Sequence, residues 1–392
     1  MEKKKITKYC ITYFIGYIVF AMAYGQYVTY LSAVGYSTSE RGFMISAYAV
    51  TTIVFQLLLG YLTDKFQKVK QIFIISLLLY ALSSMLLFSM ETRIFVLHLI
   101  LVALSGGLVN ANFGIMDNWL FSNGKEEVEN FSFIRAFGSA GWALACIVAA
   151  SIINVFGYST YGMISLVLAI LVSALVLWST TNTNTKKEKG TGIRIQDINI
   201  LFKNKKYLVL TAVLFLVYCA TTTNGSVVID KMLELGATHQ DIGIKWAING
   251  GAEIPIYFIG ARILRKLGSY KLLVISAILV SLQYFLFMCS NSVFSILLIS
   301  GMQMFTGPLV MLSSRKLYYE LAPENLRATS LLVAVSVYQG LSMLLMPTVC
   351  GLISQHIGVN VSLAFVSGLA FIGIVFALYL YKIQKNEALI QE

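Results

Sequence analysis

Long apolar runs dominate this chain, and short polar stretches separate them. The runs fall near residues 9–33, 42–62, 71–90, 94–121, 132–156, 160–179, 207–229, 241–263, 271–290, 293–314, 328–353 and 361–382. A hydrocarbon layer about 30 Å thick is crossed by a helix of about 20 apolar residues. Each run is long enough for one crossing. The pattern therefore predicts an all-α membrane protein with about twelve transmembrane helices. The opening stretch, MEKKKITK followed by an apolar run, resembles a signal peptide only superficially. Its apolar part is longer than a cleavable signal needs, and no small-residue cleavage site follows a short one, so it is read as an uncleaved first span.

The polar gaps carry the orientation. The N-terminus, the even-numbered gaps and the C-terminus hold 24 of the 29 basic residues. The odd-numbered gaps and their edges hold Arg41, Arg93, Lys231 and Lys245, and Arg135 stands apart from both groups. Basic loops stay on the cytoplasmic side, so both termini are expected there, in the cell membrane. The one long polar segment, Ser179–Lys206, divides the runs six and six. It predicts an N-terminal bundle over 1–180, a flexible cytoplasmic linker over 181–206 and a C-terminal bundle over 207–392.

Composition narrows the function classes. With 58% hydrophobic and 12% charged residues, the chain is no ordinary soluble domain. The net charge of +11 lies in the gaps between runs, as topology places it, which argues against nucleic-acid binding. The five cysteines lack disulfide or metal-ligand spacing, and the three histidines are isolated. No phosphate-cradling G-x-x-x-x-G-K-[ST] loop is present, which argues against an ATP-driven pump. The expectation is a protein without enzymatic activity, metal or cofactor, lying in the lipid bilayer as a monomer.

Charged residues inside apolar runs are costly and tend to mark function. Asp117 closes the fourth run and Arg135 opens the fifth, around the polar turn NGKEEVEN. Two antiparallel helices could bring them together, either as a ligand-contacting pair or as a structural ion pair. Arg135 can give two hydrogen bonds to one carboxylate or to neighbouring hydroxyls, and Asn118 adds an amide. Trp142 follows Arg135 by seven residues, nearly two turns, and so shares its face. It is either a platform for a ring or a packing residue. Glu253 lies deep in the eighth run, as a proton site, a ligand contact or a structural carboxyl. In the first run Tyr24 and Tyr27 are candidates to line a cavity, while Tyr13 and Tyr30 lie nearer its ends. In the seventh run Tyr218 and Thr221 to Asn224 form a polar cluster suited to a gate or ligand wall. After the second run comes Gly60-Tyr-Leu-Thr-Asp64-Lys65. A weaker echo, Ala261-Arg262-Ile-Leu-Arg265-Lys266, follows the eighth. A small residue there would let helices approach, and Asp64 would cap or pair with a neighbouring helix end.

The six-plus-six runs and the Gly60-x-x-x-Asp64-Lys65 turn resemble the major facilitator superfamily, with Gln67 where that family usually has glycine. Arg135-Ala-Phe-Gly138-Ser139-Ala-Gly141-Trp142 is similar to the fifth helix of the lactose permease and oligosaccharide:proton symporter group. Asp117 falls where that group has a glutamate. Ile242-Gly243-Ile-Lys-Trp246 through Glu253, and Pro323-Glu-Asn-Leu-Arg327-Ala-Thr-Ser330, resemble the nucleoside and phenylpropionate permeases. The resemblance implies two six-helix bundles rocking about a central site. It implies sugar stacking on Trp142 and sugar binding with proton coupling at Glu253. The tenth run departs from the group: Ser300, Gln303 and Thr306 stand where the permease has a lysine, a histidine and a glutamate. Asn224 stands for an acid, and Gln339 for that acid's lysine. The charged relay is thus replaced by neutral polar groups, leaving Glu253 and Asp117 as candidate proton carriers and Gln303 and Asn224 as ligand contacts. The preferred reading is proton-coupled import of a sugar or other small hydroxylated solute. Alternatives are a permease or exporter of an aromatic acid, nucleoside or drug-like metabolite. A ligand sensor without transport is disfavoured, because no polar segment is long enough for a signalling domain.

Overall fold

A computed structural model describes residues 2–66, 68–121, 123, 127, 130–178, 200–201, 203–323 and 327–391. Among the described residues the chain is almost wholly helical, with no strand. The helices are α1 (Glu2–Tyr24), α2 (Tyr27–Ala33), α3 (Thr38–Phe66), α4 (Val69–Phe88), α5 (Phe95–Phe121), α6 (Phe131–Trp178), α7 (Lys205–Thr221) and α8 (Val227–Glu234). Then follow α9 (His239–Ala252), α10 (Ile254–Leu267), α11 (Ser269–Cys289), α12 (Val293–Ser300), α13 (Gln303–Leu321), α14 (Arg327–Val335), α15 (Leu341–His356) and α16 (Val359–Gln391).

Ten segments among the described residues are long and apolar enough to cross a membrane. The difference from twelve apolar runs has two local causes. The fifth and sixth runs are joined in α6, where Gly157 turns the chain at φ 78° and ψ 171°. A side chain would strain that backbone; glycine does not. The eighth run is divided into α9 and α10, each of 14 residues, and Glu253 stands between them.

Side chains outside the cores are apolar, as a lipid-facing surface requires. Leu57 is 70% exposed, Phe294 69% and Phe371 61%. In water such a surface would aggregate; in hydrocarbon it is solvated. Buried hydroxyls are spent locally instead. Thr52, Ser105, Ser173, Ser300 and Ser313 each donate to the carbonyl four residues back.

Two compact units emerge, Met1–Glu188 with Ala237–Gly251, and Lys189–Gly236 with Ala252–Glu392. In the first, α1 lies along the first arm of α6, α3 along α5, and α4 against both α5 and α6. The α1–α6 seam is close. A methyl group added at Gly141 would stand 2.1 Å from the Phe14 carbonyl oxygen. Only backbone lies there, so nothing can give way, and the small residue sets the distance between the helices. In the second unit, α11 packs between α13 and α16, and Ile256, Leu272 and Leu309 form a buried cluster joining α10, α11 and α13.

An internal repeat clearer than the Gly60 echo appears at two helix starts. Gly35-x-Ser37-x-x-Glu40 and Gly236-x-Thr238-x-x-Asp241 share one arrangement. Each glycine is left-handed, at φ 92° and 80°. Each hydroxyl accepts from the acid's backbone N–H, and each acid accepts from the backbone N–H of the hydroxyl residue. These are reciprocal capping boxes opening α3 and α9.

Several runs are broken inside the apolar layer. The first breaks at Gly25–Gln26, between α1 and α2. The seventh breaks at a 3-10 turn, Thr222–Gly225, and the tenth at Gly301–Met302. The eleventh contains a π turn, Ser336–Gly340. Irregular backbone at membrane depth occurs where it is buried in protein or lines a wet cavity, and π turns are frequent at functional sites. Asn224, Glu253, Gln303 and Gln339 all stand at or beside these breaks.

Candidate functional site

Each unit carries its own polar cluster. In the first unit Asp117 sits near the end of α5 and Arg135 in the second turn of α6, and both meet the aromatic face of α1. Tyr13 donates its hydroxyl to Asp117 Oδ1 at 2.9 Å. The Arg135 guanidinium lies over the Tyr17 ring, 4.3 Å from its centroid. The two rings stack at 6.0 Å with an interplanar angle of 17°. Tyr13 and Tyr17 are one turn apart, which is why one helix face can serve both charges. Asp117 and Arg135 are thus brought to adjacent rings; among the described residues, no ion pair within 4 Å joins them directly. In place of a direct structural ion pair, Tyr13 donates to Asp117 and Tyr17 lies beneath Arg135.

Two turns further along α6, Trp142 meets Tyr24 at 5.7 Å and Phe113 at 6.1 Å. Tyr24 also meets Trp246 of α9 at 5.8 Å. Trp142 and Trp246 pack beside buried Ala21, Ala145 and Cys146. The result is a partly exposed aromatic wall, a surface on which a sugar ring or base can stack. Asn118 is exposed at the end of α5.

Tyr27 does not share that wall. It is 3% exposed and donates to Ser105 Oγ at 3.0 Å, a packing contact between α2 and α5. The break at Gly25–Gln26 changes the helix register, so the spacing of Tyr24 and Tyr27 does not place them on a common face. Tyr30 is bound in a buried group with His98 and Tyr36, with Tyr30 Oη 3.0 Å from His98 Nε2 and Tyr36 Oη 3.1 Å from Nδ1.

In the second unit Glu253 is received by Gln303, whose Nε2 donates to Oε1 at 2.9 Å. Gly307 faces both. A methyl group there would stand 2.7 Å from Glu253 Oε1 and 2.8 Å from Gln303 Nε2, so the backbone itself closes this side. Thr306 donates to Gln283 Oε1 at 3.0 Å. The seventh-run hydroxyls turn inward on their own helix. Thr222 bonds the Tyr218 carbonyl at 2.8 Å and Thr223 the Ala220 carbonyl at 2.7 Å. Such back-bonding weakens the helical ladder, and it occurs where α7 gives way to the 3-10 turn that carries Asn224. Tyr218 and Tyr338 stand with ring centroids 4.6 Å apart.

The turn after the second run fits the close-approach expectation poorly. Among the described residues, nothing lies within 4 Å of a methyl group built at Gly60. Lys65 is exposed over Tyr61 and Phe66, at 5.4 and 5.5 Å. The side chains of Asp64 and Arg327, the residue Gln67 and the segment 179–199 lie outside the described residues.

The sequence pattern of the MFS_1 like family matches residues 6–365. The chain belongs to this family. It is a multi-pass membrane protein of a transporter family, not an enzyme. Among relatives, a maltose permease of Geobacillus stearothermophilus is 21% identical over 97% of this chain and 95% of its own. A sucrose permease of Escherichia coli is 20% identical over 97% of this chain and 94% of its own. Among solved structures, the nucleoside transporter NupG superposes with a TM-score of 0.80 at 15% identity, covering 97% of this chain and 99% of its own. That likeness establishes the major facilitator fold.

Four residues of these clusters carried little signal. Tyr13 and Tyr17 were visible only as members of a tyrosine-rich run. Trp246 stood inside a motif without a role. Gln283 is a buried amide in the middle of the ninth run; an uncharged polar group attracts less notice there than an acid, although it too needs partners.

Proposed function

We propose that this protein is a secondary transporter that imports a sugar, or a similar small hydroxylated solute, together with protons. Asp117, Asn118 and Arg135 bind the hydroxyls, Trp142 and Tyr24 stack on the ring, and Glu253 carries the proton. The observation that carries the reading is Glu253 itself. It is a carboxyl at a break in a membrane helix, and it accepts a hydrogen bond from the Gln303 amide. A carboxyl at membrane depth that is hydrogen-bonded to an amide is suited to gaining and losing a proton. The relatives' printed substrates, maltose and sucrose, support the solute class.

A nucleoside is the second reading. The Tyr24, Trp142 and Trp246 rings would hold a base as they would a sugar, and the ribose would offer hydroxyls to the same donors. Purified protein in liposomes, energised by an inward proton gradient, should concentrate radiolabelled maltose or sucrose, and the uptake should collapse with a protonophore. Concentration of uridine with no disaccharide uptake would transfer the proposal to nucleosides. Accumulation insensitive to the proton gradient would remove the coupling.

Both termini are placed in the cytoplasm, on the distribution of basic residues. Reporters inserted within 186–206 should be active on the cytoplasmic side, and reporters near Gly157 on the outer side. Reversed signals would overturn this orientation.

A further inference from the structure

The cluster around Glu253 continues into the protein as a hydrogen-bonded chain, and its direction can be worked out from its far end. Gln283, on α11, is 2% exposed and donates Nε2–H to the Ile299 carbonyl at 3.3 Å. A carbonyl only accepts, so Gln283 must turn its oxygen toward its other neighbour, Thr306 Oγ1, at 3.0 Å. An amide oxygen also only accepts. Thr306, 1% exposed on α13, therefore gives its single hydroxyl proton to Gln283.

That leaves only lone pairs on Thr306 Oγ1 for its next neighbour, which is Gln303 Oε1 at 3.5 Å. Two acceptors face each other there. The Met302 carbonyl, 3.4 Å from the same hydroxyl, competes for the proton and does not relieve the conflict. Gln303 spends its N–H on Glu253. Gln303 is half-buried, and its oxygen meets Thr306 Oγ1 with no proton between them.

Turning the Gln303 amide over removes the conflict. Its N–H then donates to Thr306 Oγ1, and its oxygen faces Glu253. An oxygen facing a carboxylate is acceptable only if the carboxyl supplies the proton. The balance is simple: one proton arrives on a Glu253 oxygen, the Gln303 amide rotates, and no other proton moves.

We propose that Gln283 and Thr306 are positioning residues for Glu253, setting the direction of a hydrogen-bond chain that is complete only when Glu253 carries a proton. The proposal rests on the reading of Glu253 as the proton carrier. Its consequence is that Gln303 reports the protonation state of Glu253 to α11 and α13, whose buried faces hold the other end of the chain. Other charged or titratable groups near Glu253 stand outside this chain. Tyr218 of α7 lies within electrostatic range of Glu253 and of Arg315 on α13, and Tyr338 is bonded to Tyr218. Arg262 of α10 is exposed. These groups are common to the parent and every variant below.

The test uses full-length protein in liposomes. The carboxyl stretch is followed by infrared difference spectroscopy across pH, with Glu253→Gln identifying its band. The pH profile of solute counterflow is recorded beside it. Thr306→Val removes the hydroxyl and, with it, the conflict facing the ionised carboxyl. Gln283→Leu frees the Thr306 proton for Gln303. Each should move both midpoints to lower pH by roughly half a unit to one unit. Thr306→Ser keeps the hydroxyl and should stay with the parent. Should Thr306→Val fail to fold, Gln283→Leu decides, since it leaves α13 untouched. Unchanged midpoints in the folded Val or Leu variant, or a Ser variant displaced as far as Val, would overturn the proposal. If Glu253→Gln loses no band and still concentrates solute, the proton reading itself fails, and this proposal falls with it.

Discussion

Arg135→Lys is expected to weaken solute binding by at least about tenfold, the worth of one charge-assisted hydrogen bond, while the protein inserts and melts like the parent. The guanidinium carbon lies 4.3 Å from the Tyr17 ring centroid. A planar fork can stack and still offer two parallel donors; an ammonium is a point charge and cannot do both. A ring-stacked lysine would retain the cation–π attraction, which is why stability should hold. The exchanged pair, Asp117→Arg with Arg135→Asp, separates a strut from a binding group. Each charge is tied to its own tyrosine, so exchange breaks the Tyr13 hydrogen bond and the Tyr17 stack together and should rescue neither single variant. Binding is read by calorimetry on purified protein beside its melting temperature. A lysine variant that binds as tightly as the parent would reduce Arg135 to a helix spacer.

Glu253→Gln is expected to lower concentrative uptake by about a hundredfold, the lower range for loss of a positioned proton-transferring group. Downhill flux and counterflow should remain measurable. The glutamine keeps an oxygen where Gln303 Nε2 donates at 2.9 Å, so the local bond survives and only the exchangeable proton is lost. Concentrative uptake and counterflow are measured on the same liposomes, so expression differences cancel. A variant that still accumulates solute against a gradient would move the proton to Asp117, the other carboxyl within a span that candidate chemistry singled out.

The membrane architecture was legible because hydropathy acts on whole runs, and one misplaced residue does not disturb a run. Glu253 was legible for a related reason: an acid among apolar residues has few structural excuses. The breaks were not legible. Nothing in the composition of the first run separates Gly25, where the helix ends, from Gly16, where it continues. Tyr27 lies beyond that break and packs against Ser105, and helical spacing carried across an interruption does not predict its face. The Asp117–Arg135 pairing illustrates a second limit. Spacing brought the helix ends together, but which side chain satisfies a carboxylate depends on what a third helix offers, and here Tyr13 offers a hydroxyl. Gln283 shows a third. Its importance lies in the direction of its bonds, a property of neighbours rather than of the residue.

The tight turn at Gly157 has a bearing on how the protein is made. With so little chain between the two arms of α6, neither arm can settle across the bilayer while the other waits outside; they must enter together as a helical hairpin. Arg135 is the only charged residue in the 48 residues of α6. The cost of carrying it into the membrane is spread over an insertion unit of two apolar arms, far more hydrophobic than its own helix alone. Biogenesis should therefore be indifferent to what stands at position 135. The residue there is free to answer to the solute, and the amount of Arg135→Lys protein reaching the membrane becomes a control rather than a confounding variable.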